Sequence, residues 1–450
     1  MTRASGVASL ASVVASMIGT AAVLAAACGG HEERAHRTGS AAPVELVAQP
    51  VYADDAGVGT TRVVTDEIEP DDTDDSAQAL ALPGAIHGKL DPGDSDVDRY
   101  RIDVPRAGQL RVFVADLDAP ATLEIDDPAG AVVARDDRPG TRARIGVPNV
   151  GVTPGRYVAV VRGRPRAKSA HPPPHKRGVP ETAPPVPAVA YTIAADLVAP
   201  EVNGEREPDD DRANATDILA GDIGSGYIGW DHDVDRWKLS VEGMAGKTAL
   251  DIDVTRVDGV ALELQVEDGV GQLIASRKVP RGIAAQVRGL VPVVPPGGSP
   301  FHYIVVRGEQ NESNPEVGYQ LSIHLVQLLP DAEVEPDDTL DHPFELPADR
   351  TSVAATWTPG DVDCFLLPTS PTAHNVDIGI QPQKGLDLSV EVLADGKQVA
   401  GLTHAHTASD HVVAKLAAGV RTIVRVRGAD ASNANGGQGG PYTLTVKDAP

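Results

Sequence analysis

One acidic cassette, met three times at nearly equal intervals, constrains this chain more than any other feature. It reads Glu67-Ile68-Glu69-Pro70-Asp71-Asp72, then Glu205-Arg206-Glu207-Pro208-Asp209-Asp210, then Glu333-Val334-Glu335-Pro336-Asp337-Asp338. Each copy is answered downstream by an Asp-Val-Asp triplet: Asp96-Val97-Asp98, Asp233-Val234-Asp235 and Asp361-Val362-Asp363. The second glutamate of the cassette precedes the first aspartate of the triplet by 27, 26 and 26 positions (96−69, 233−207, 361−335). Such regularity marks an array of three repeats. The intervals of 138 and 128 residues between cassettes (207−69, 335−207) are those of ordinary single domains.

Only 3% of the 450 residues are aromatic, so the cores must be built from Val, Leu, Ile and Ala. With 45 Gly and 37 Pro, that composition favours short strands and turns over long helices. The formal net charge of −25 keeps the chain soluble and repels nucleic acid and anionic headgroups, leaving cations and basic surfaces as its natural partners. Cys28 and Cys364 lie too far apart in context and sequence to form a disulfide framework.

Residues 7–27 are apolar and small, follow Arg3, and end at Cys28-Gly29-Gly30. The run reads as a secretion signal, 1–27, and its end resembles a bacterial lipobox, which implies cleavage before Cys28 and acylation of its thiol. Leu24 stands one place earlier than that pattern prefers. The alternative is a retained transmembrane anchor, for which the run is long enough. The lipobox reading makes the protein exported and lipid-anchored in the cell envelope at Cys28, and Gly29 resembles outer-membrane sorting. Residues 28–63 lack periodicity and read as a flexible tether spanning roughly 30–35 Å by random-coil scaling.

In the first two repeats the triplet runs into a strictly alternating segment, with Tyr100, Ile102 and Val104, or Trp237, Leu239 and Val241, on one face. The third has Cys364-Phe365-Leu366-Leu367. A half-buried strand needs this pattern, and the aromatic is its core anchor. Further apolar stretches at 109–114, 261–266 and 387–393 are separated by turn pairs such as Gly93-Asp94 and Asp395-Gly396. Each repeat closes alike, with a strand ending in Arg162-Gly163, Arg307-Gly308 or Arg427-Gly428, a polar loop, and a last strand beginning at Tyr191, Tyr319 or Tyr442. The pattern predicts an all-β tandem array of three jelly-roll-like β-sandwiches over 64–199, 200–329 and 330–450, each carrying the anchors to fold alone. The loop 164–190 in the first repeat is Pro-rich and basic, and reads as a disordered or polyproline spacer or a docking loop for an acidic partner.

The order Glu-Pro-Asp-Asp, then Gly-Asp-x-Asp-x-aromatic, then a valine-rich strand and a closing tyrosine strand resembles the bacterial pre-peptidase C-terminal domain, three times over about residues 64–450. That family includes the collagen-binding modules of clostridial collagenases. The usual Asn after Glu-Pro is replaced here by Asp71, Asp209 and Asp337. The resemblance implies a sandwich and a binding module. Collagen binding is not carried over, because it depends on an exposed aromatic surface and aromatics are scarce here.

Asp96 and Asp98 precede Tyr100 by two and four positions, so a continuous strand puts them on the aromatic's side, where unpaired charge is not tolerated. They belong at the mouth of the sandwich. A loop bringing Glu67, Glu69, Asp71 and Asp72 to that mouth would form a hard oxygen cage suited to Ca²⁺. The same holds for Glu205, Glu207, Asp209, Asp210, Asp233 and Asp235, and for Glu333, Glu335, Asp337, Asp338, Asp361 and Asp363. The resemblance implies the same ligands, since collagenase modules bind calcium through the corresponding segments. The alternative is a solvated turn whose shape is set by proline.

His404, His406 and His411 lack an accompanying ligand pattern and read as exposed polar residues, with a metal site as the lesser reading. Cys364 takes the place of Arg99 and Arg236 and should face outward as an incidental thiol. The chain has no Gly-x-Ser-x-Gly elbow, His-Glu-x-x-His helix or phosphate loop, and tether plus repeats leave no segment for a peptidase. The expectation is a non-enzymatic, lipid-anchored binding or spacer array that meets an extracellular or periplasmic protein or polysaccharide, with no nucleic acid. The alternative is an accessory or substrate-targeting subunit of a secreted hydrolase. An enzyme on an all-β scaffold would rest on the histidines alone.

Overall fold

A computed structural model describes residues 62–91, 96–138, 145–163, 188–244, 246, 248–406, 410–429 and 439–449. The signal, Cys28, nearly all of the tether, Gly93-Asp94 and nearly all of the 164–190 loop lie outside them. Among the described residues the only helix is a single 3-10 turn at Glu309–Asn311, and everything else regular is strand. No helix among them is long and apolar enough to cross a membrane.

The chain folds as tandem β-sandwiches, and one topology recurs in all three repeats, with an added parallel edge strand, Val63–Asp66, in the first. In the sheet that carries the triplet, a short strand (Gln78–Ala79, Thr216–Ile218, Phe344–Glu345) pairs in parallel with the triplet strand (Val97–Val104, Val234–Ser240, Val362–Leu366). The Arg-Gly strand follows (Gly155–Gly163, Phe301–Gly308, Thr422–Gly428), and then a hairpin closes the sheet. The hairpin arms are Ala121–Asp126 with Val132–Arg138, Leu262–Glu267 with Leu273–Val279, and Leu388–Ala394 with Lys397–Ala405. In the third hairpin Asp395 and Gly396 both take positive φ (46° and 75°), as a two-residue turn matching strand twist requires.

The opposite sheet is centred on the closing tyrosine strand: Val189–Val198, Tyr319–Gln327 and Gly440–Ala449. In the first and third repeats this strand begins two residues before the tyrosine. Its outer edge is Ile145–Val152, Ala285–Leu290 or His411–Leu416. Alternation seats the expected anchors inside: Tyr100, Trp237 and Phe365 are fully buried between the sheets, each within its own apolar cluster.

Two placements depart from the sequence reading. Cys364 does leave the core face, yet it is fully buried in a satellite cluster with Leu393 and Ile423 under Leu340, Val362 and Leu366. Burial pushes its thiol up to about 12, so it is covered and unreactive rather than outward. The second is at the junctions, where each later repeat is tied to the one before it. Trp230, from the second repeat, is buried in the first repeat's core cluster. The cassette of each later repeat forms a parallel bridge to the outer edge of the repeat before it, Val150 to Glu207 and Leu290 to Glu335. Backbone bonds lock both: the Gly151 and Val291 amides donate to the Glu207 and Glu335 carbonyls, each at 2.9 Å.

Candidate metal centres

Each cassette has the same shape, marked by two recurring hydrogen bonds and one recurring peptide geometry. The amide of its first glutamate donates to the neighbouring strand (Glu67 to the His87 carbonyl, 3.0 Å; Glu205 to Ser225, 2.9 Å; Glu333 to Ala354, 2.8 Å). The Glu-Pro bond is cis in all three. The amide of the following aspartate then donates to the glutamate just before the proline: Asp71 to Glu69 Oε2 (3.1 Å), Asp209 to Glu207 Oε2 (3.0 Å), and Asp337 to Glu335 Oε2 (2.9 Å). The second aspartate of the pair caps the triplet in two repeats, since the Val97 amide donates to Asp72 Oδ1 (3.4 Å) and the Val234 amide to Asp210 Oδ1 (3.2 Å). Those two residues are exposed and serve as turn caps, which is the solvated-turn reading for that position alone.

The remaining carboxylates converge. Glu67, Asp71 and Asp98 place one oxygen each within 4.8 Å of one another, as do Glu69, Asp96 and Asp98. The second repeat groups Glu205, Glu207 and Asp235, and the third groups Glu333, Glu335 and Asp337 and also Glu335, Asp338 and Asp361. Each repeat thus has an inner group beside the sandwich core. In the first and third repeats a second, outer group shares a carboxylate with it, Asp98 in the first and Glu335 in the third.

Burial is the dominant force on these acids. Asp71, Asp98, Asp209, Asp235, Asp337 and Asp363 are all fully buried. Neither oxygen of Asp71, Asp235 or Asp337 has a hydrogen-bond partner, and one oxygen each of Asp98, Glu207, Asp209, Asp233 and Asp363 is likewise unpartnered. Desolvation first, and repulsion from neighbouring carboxylates second, push Asp71 up to about 7 and Asp209 up to about 10. Asp98 rises to about 9 despite the Tyr191 hydroxyl that donates to it, and Glu205 to about 7 despite hydrogen bonds that oppose the burial. Glu207, Asp233, Asp235, Glu335, Asp337 and Asp363 are held well above the usual carboxylate range for the same first reason. Buried anions of like sign require protons or a cation.

An all-carboxylate set with orphaned buried oxygens, close enough for several to reach one ion, fits Ca²⁺, which takes oxygen ligands at about 2.3–2.6 Å. Glu67, Asp71 and Asp98 with Glu69 and Asp96 would hold it in the first repeat, and Glu205, Glu207 and Asp235 in the second. The Glu333, Glu335 and Asp337 group offers the same chemistry. The outer group of the third repeat does not, because a side chain already fills it. Arg277, fully buried on the second repeat's hairpin, donates from Nη1 to Asp338 Oδ1 and Oδ2 (2.9 and 2.8 Å). Its Nη2 meets Glu335 and lies 2.6 Å from Asp361 Oδ1.

Two participants have no role among the acids in the sequence reading. The closing tyrosines are core residues whose hydroxyls reach the acids: Tyr191 donates to Asp98, Tyr442 to Asp363, and Tyr319 to Glu205 Oε2 at 3.2 Å. Their recurrence was visible, and a buried tyrosine needs a polar partner for its hydroxyl. Arg277 had no such signal. The histidines stay apart from all of this: His404 on an exposed edge strand and His406 just past its end share Asp387 (2.8 and 3.1 Å).

No protein-family model and no curated protein matches this chain. Among solved structures it is similar to the pre-peptidase C-terminal domain of a collagenase from Bacillus anthracis. That similarity has 16% identity and a TM-score of 0.19, and covers 27% of this chain and 94% of that one. It is also similar to a Sulfolobus turreted icosahedral virus structure (7% identity, TM-score 0.17, 80% of this chain and 84% of that one). A third is the CUB1-EGF-CUB2 portion of human MASP-1/3 (10% identity, TM-score 0.16, 54% of this chain and 99% of that one).

Proposed function

We propose that this chain is a non-enzymatic, lipid-anchored envelope protein, a three-sandwich binding or spacer array whose junctions calcium consolidates. One observation carries the reading: buried carboxylates with orphaned oxygens sit where the cassette of one repeat is bridged to the edge of the repeat before it. An ion there would join the linker, the sandwich it leads into and, through the Glu207 backbone, the sandwich behind it. The net charge of −25 suits a surface that stays dissolved near a membrane and avoids nucleic acid. Cys28 supplies the anchor in this reading, which makes the protein exported and outer-membrane bound. Its partner is an extracellular or periplasmic protein or polysaccharide.

The test is small-angle scattering and calorimetry on the full chain with calcium or chelator. Calcium should bind with measurable heat and narrow the distribution of particle dimensions. A titration with no heat and an unchanged scattering curve would remove calcium from the reading. Cys28→Ser should abolish incorporation of a palmitate analogue, and a mutant that still takes the label would remove the anchor.

A further inference from the structure

The hairpin register shows how unusual Arg277 is. Leu264 faces Arg277 across the second repeat's hairpin, and the matching pairs are Leu123 with Asp136 in the first repeat and Val390 with Leu402 in the third. The same place therefore holds an acid, a base and an aliphatic residue. The base projects into the following cassette, where it meets three carboxylates from another repeat. It also redirects Asp338: the equivalent Asp72 and Asp210 cap the triplet valine, whereas Asp338 turns to the guanidinium and the Val362 amide takes Asp361 Oδ1 instead (2.9 Å).

We infer that Arg277 is the resident cation of the third repeat's outer carboxylate group, taking the place of a divalent ion and fastening the second and third sandwiches together without metal. A guanidinium presents several donors in a fixed plane, so one side chain can satisfy Glu335, Asp338 and Asp361 at once. Because it comes from the preceding repeat, neutralising the group and docking the repeats are one event. The group it leaves unfilled, Glu333, Glu335 and Asp337, remains open to an ion. That part of the inference, and the claim of replacement, rest on the calcium reading above. The fastening does not.

The experiment uses the full chain. In chelator, Arg277→Met should lower the melting temperature by about 5–10 °C, as expected when one partner of a buried ion network is removed. Adding Asp338→Asn and Asp361→Asn to that variant should recover most of the loss, since the charges left unpaired are gone. An Arg277→Met protein that melts with the wild type, or a triple variant no better than Arg277→Met, overturns the fastening. If Arg277→Met fails to fold in chelator, folding of the triple variant supports the inference and its failure counts against it. In calcium, Arg277→Met should bind one more ion than the wild type and regain its stability. Wild-type binding without that gain overturns the replacement. A wild type that binds no calcium sinks the calcium reading and leaves the fastening to the chelator result.

Discussion

Three residues before the triplet, the second repeat has Trp230 and the third has Thr358, and the two junctions differ accordingly. In both, the triplet's first amide closes a turn onto that residue's carbonyl (3.3 and 3.0 Å). At the first junction the indole is buried in the preceding core, and Asn149 of the first repeat donates to the Glu205 carboxylate. At the second, the Thr358 hydroxyl donates to the Gln286 carbonyl (3.1 Å) and Arg277 crosses into the cassette. Among the described residues no basic side chain pairs with Glu205, Glu207, Asp209, Asp233 or Asp235. One junction is thus joined by apolar burial and leaves its acids without a basic partner among the described residues. The other is joined by a desolvated ion network that carries its cation within the chain. Either solution buries the same backbone bridge, so the repeat architecture does not dictate the chemistry of its seams.

The largest effect should come from breaking the apolar seam. Trp230→Ala should cost about 3–5 kcal/mol, the usual result of emptying a buried aromatic site, and should loosen only the first junction. Thermal unfolding with proteolytic mapping between 198 and 204 checks it. Unchanged stability and protection would mean that the ring merely lies against the first sandwich.

Calcium should come next. At about 1 mM, on a site of about 10–100 µM affinity, it should add about 1.4–2.7 kcal/mol. Asp233→Asn with Asp235→Asn should diminish that gain by deleting the second repeat's share while leaving the metal-free fold intact. An undiminished calcium shift in this variant would assign all binding to the other repeats.

Protons should substitute in part for the ion. Asp71 and Glu205 titrate near 7 when folded, above the ordinary carboxylate range. A folded value raised in this way means stability that is present in full below the unfolded value and is lost as pH rises through about 7. The metal-free protein should therefore melt higher at pH 5.5 than at pH 8.5, and calcium should flatten the difference. A metal-free melting temperature that climbs with pH over this window would show that the buried acids are already compensated.

The smallest effect belongs to the polar seam. Thr358→Val should cost about 0.5–1.5 kcal/mol, the net worth of one hydrogen bond, because Arg277 keeps the second junction closed. A loss as large as that of Trp230→Ala would contradict the division of labour between the seams.

The legibility of the site followed chain distance. The cassette acids and the triplet acids stand in one repeat at a fixed spacing, and the parity of the strand put Asp98 on the side of Tyr100, where it lies buried. Trp230 stands in plain view in the sequence, but nothing local tells an aromatic that enters its own core from one that enters its neighbour's. Cys364 followed parity away from Phe365, and it was the cover from Leu340 and Leu393 that buried it.

The sequence by itself determined the number of repeats, the all-β fold, the strand faces and the acidic character of each mouth, because these depend on periodicity and composition within tens of residues. Only the tertiary structure decided which acids lack a counter-charge. Arg277 lies 58 residues before Glu335 and in another repeat, and meets it only when a hairpin register and a junction bridge are both in place. The physical reason is that charge compensation is a property of a buried volume, and the chain assembles that volume from two repeats at once.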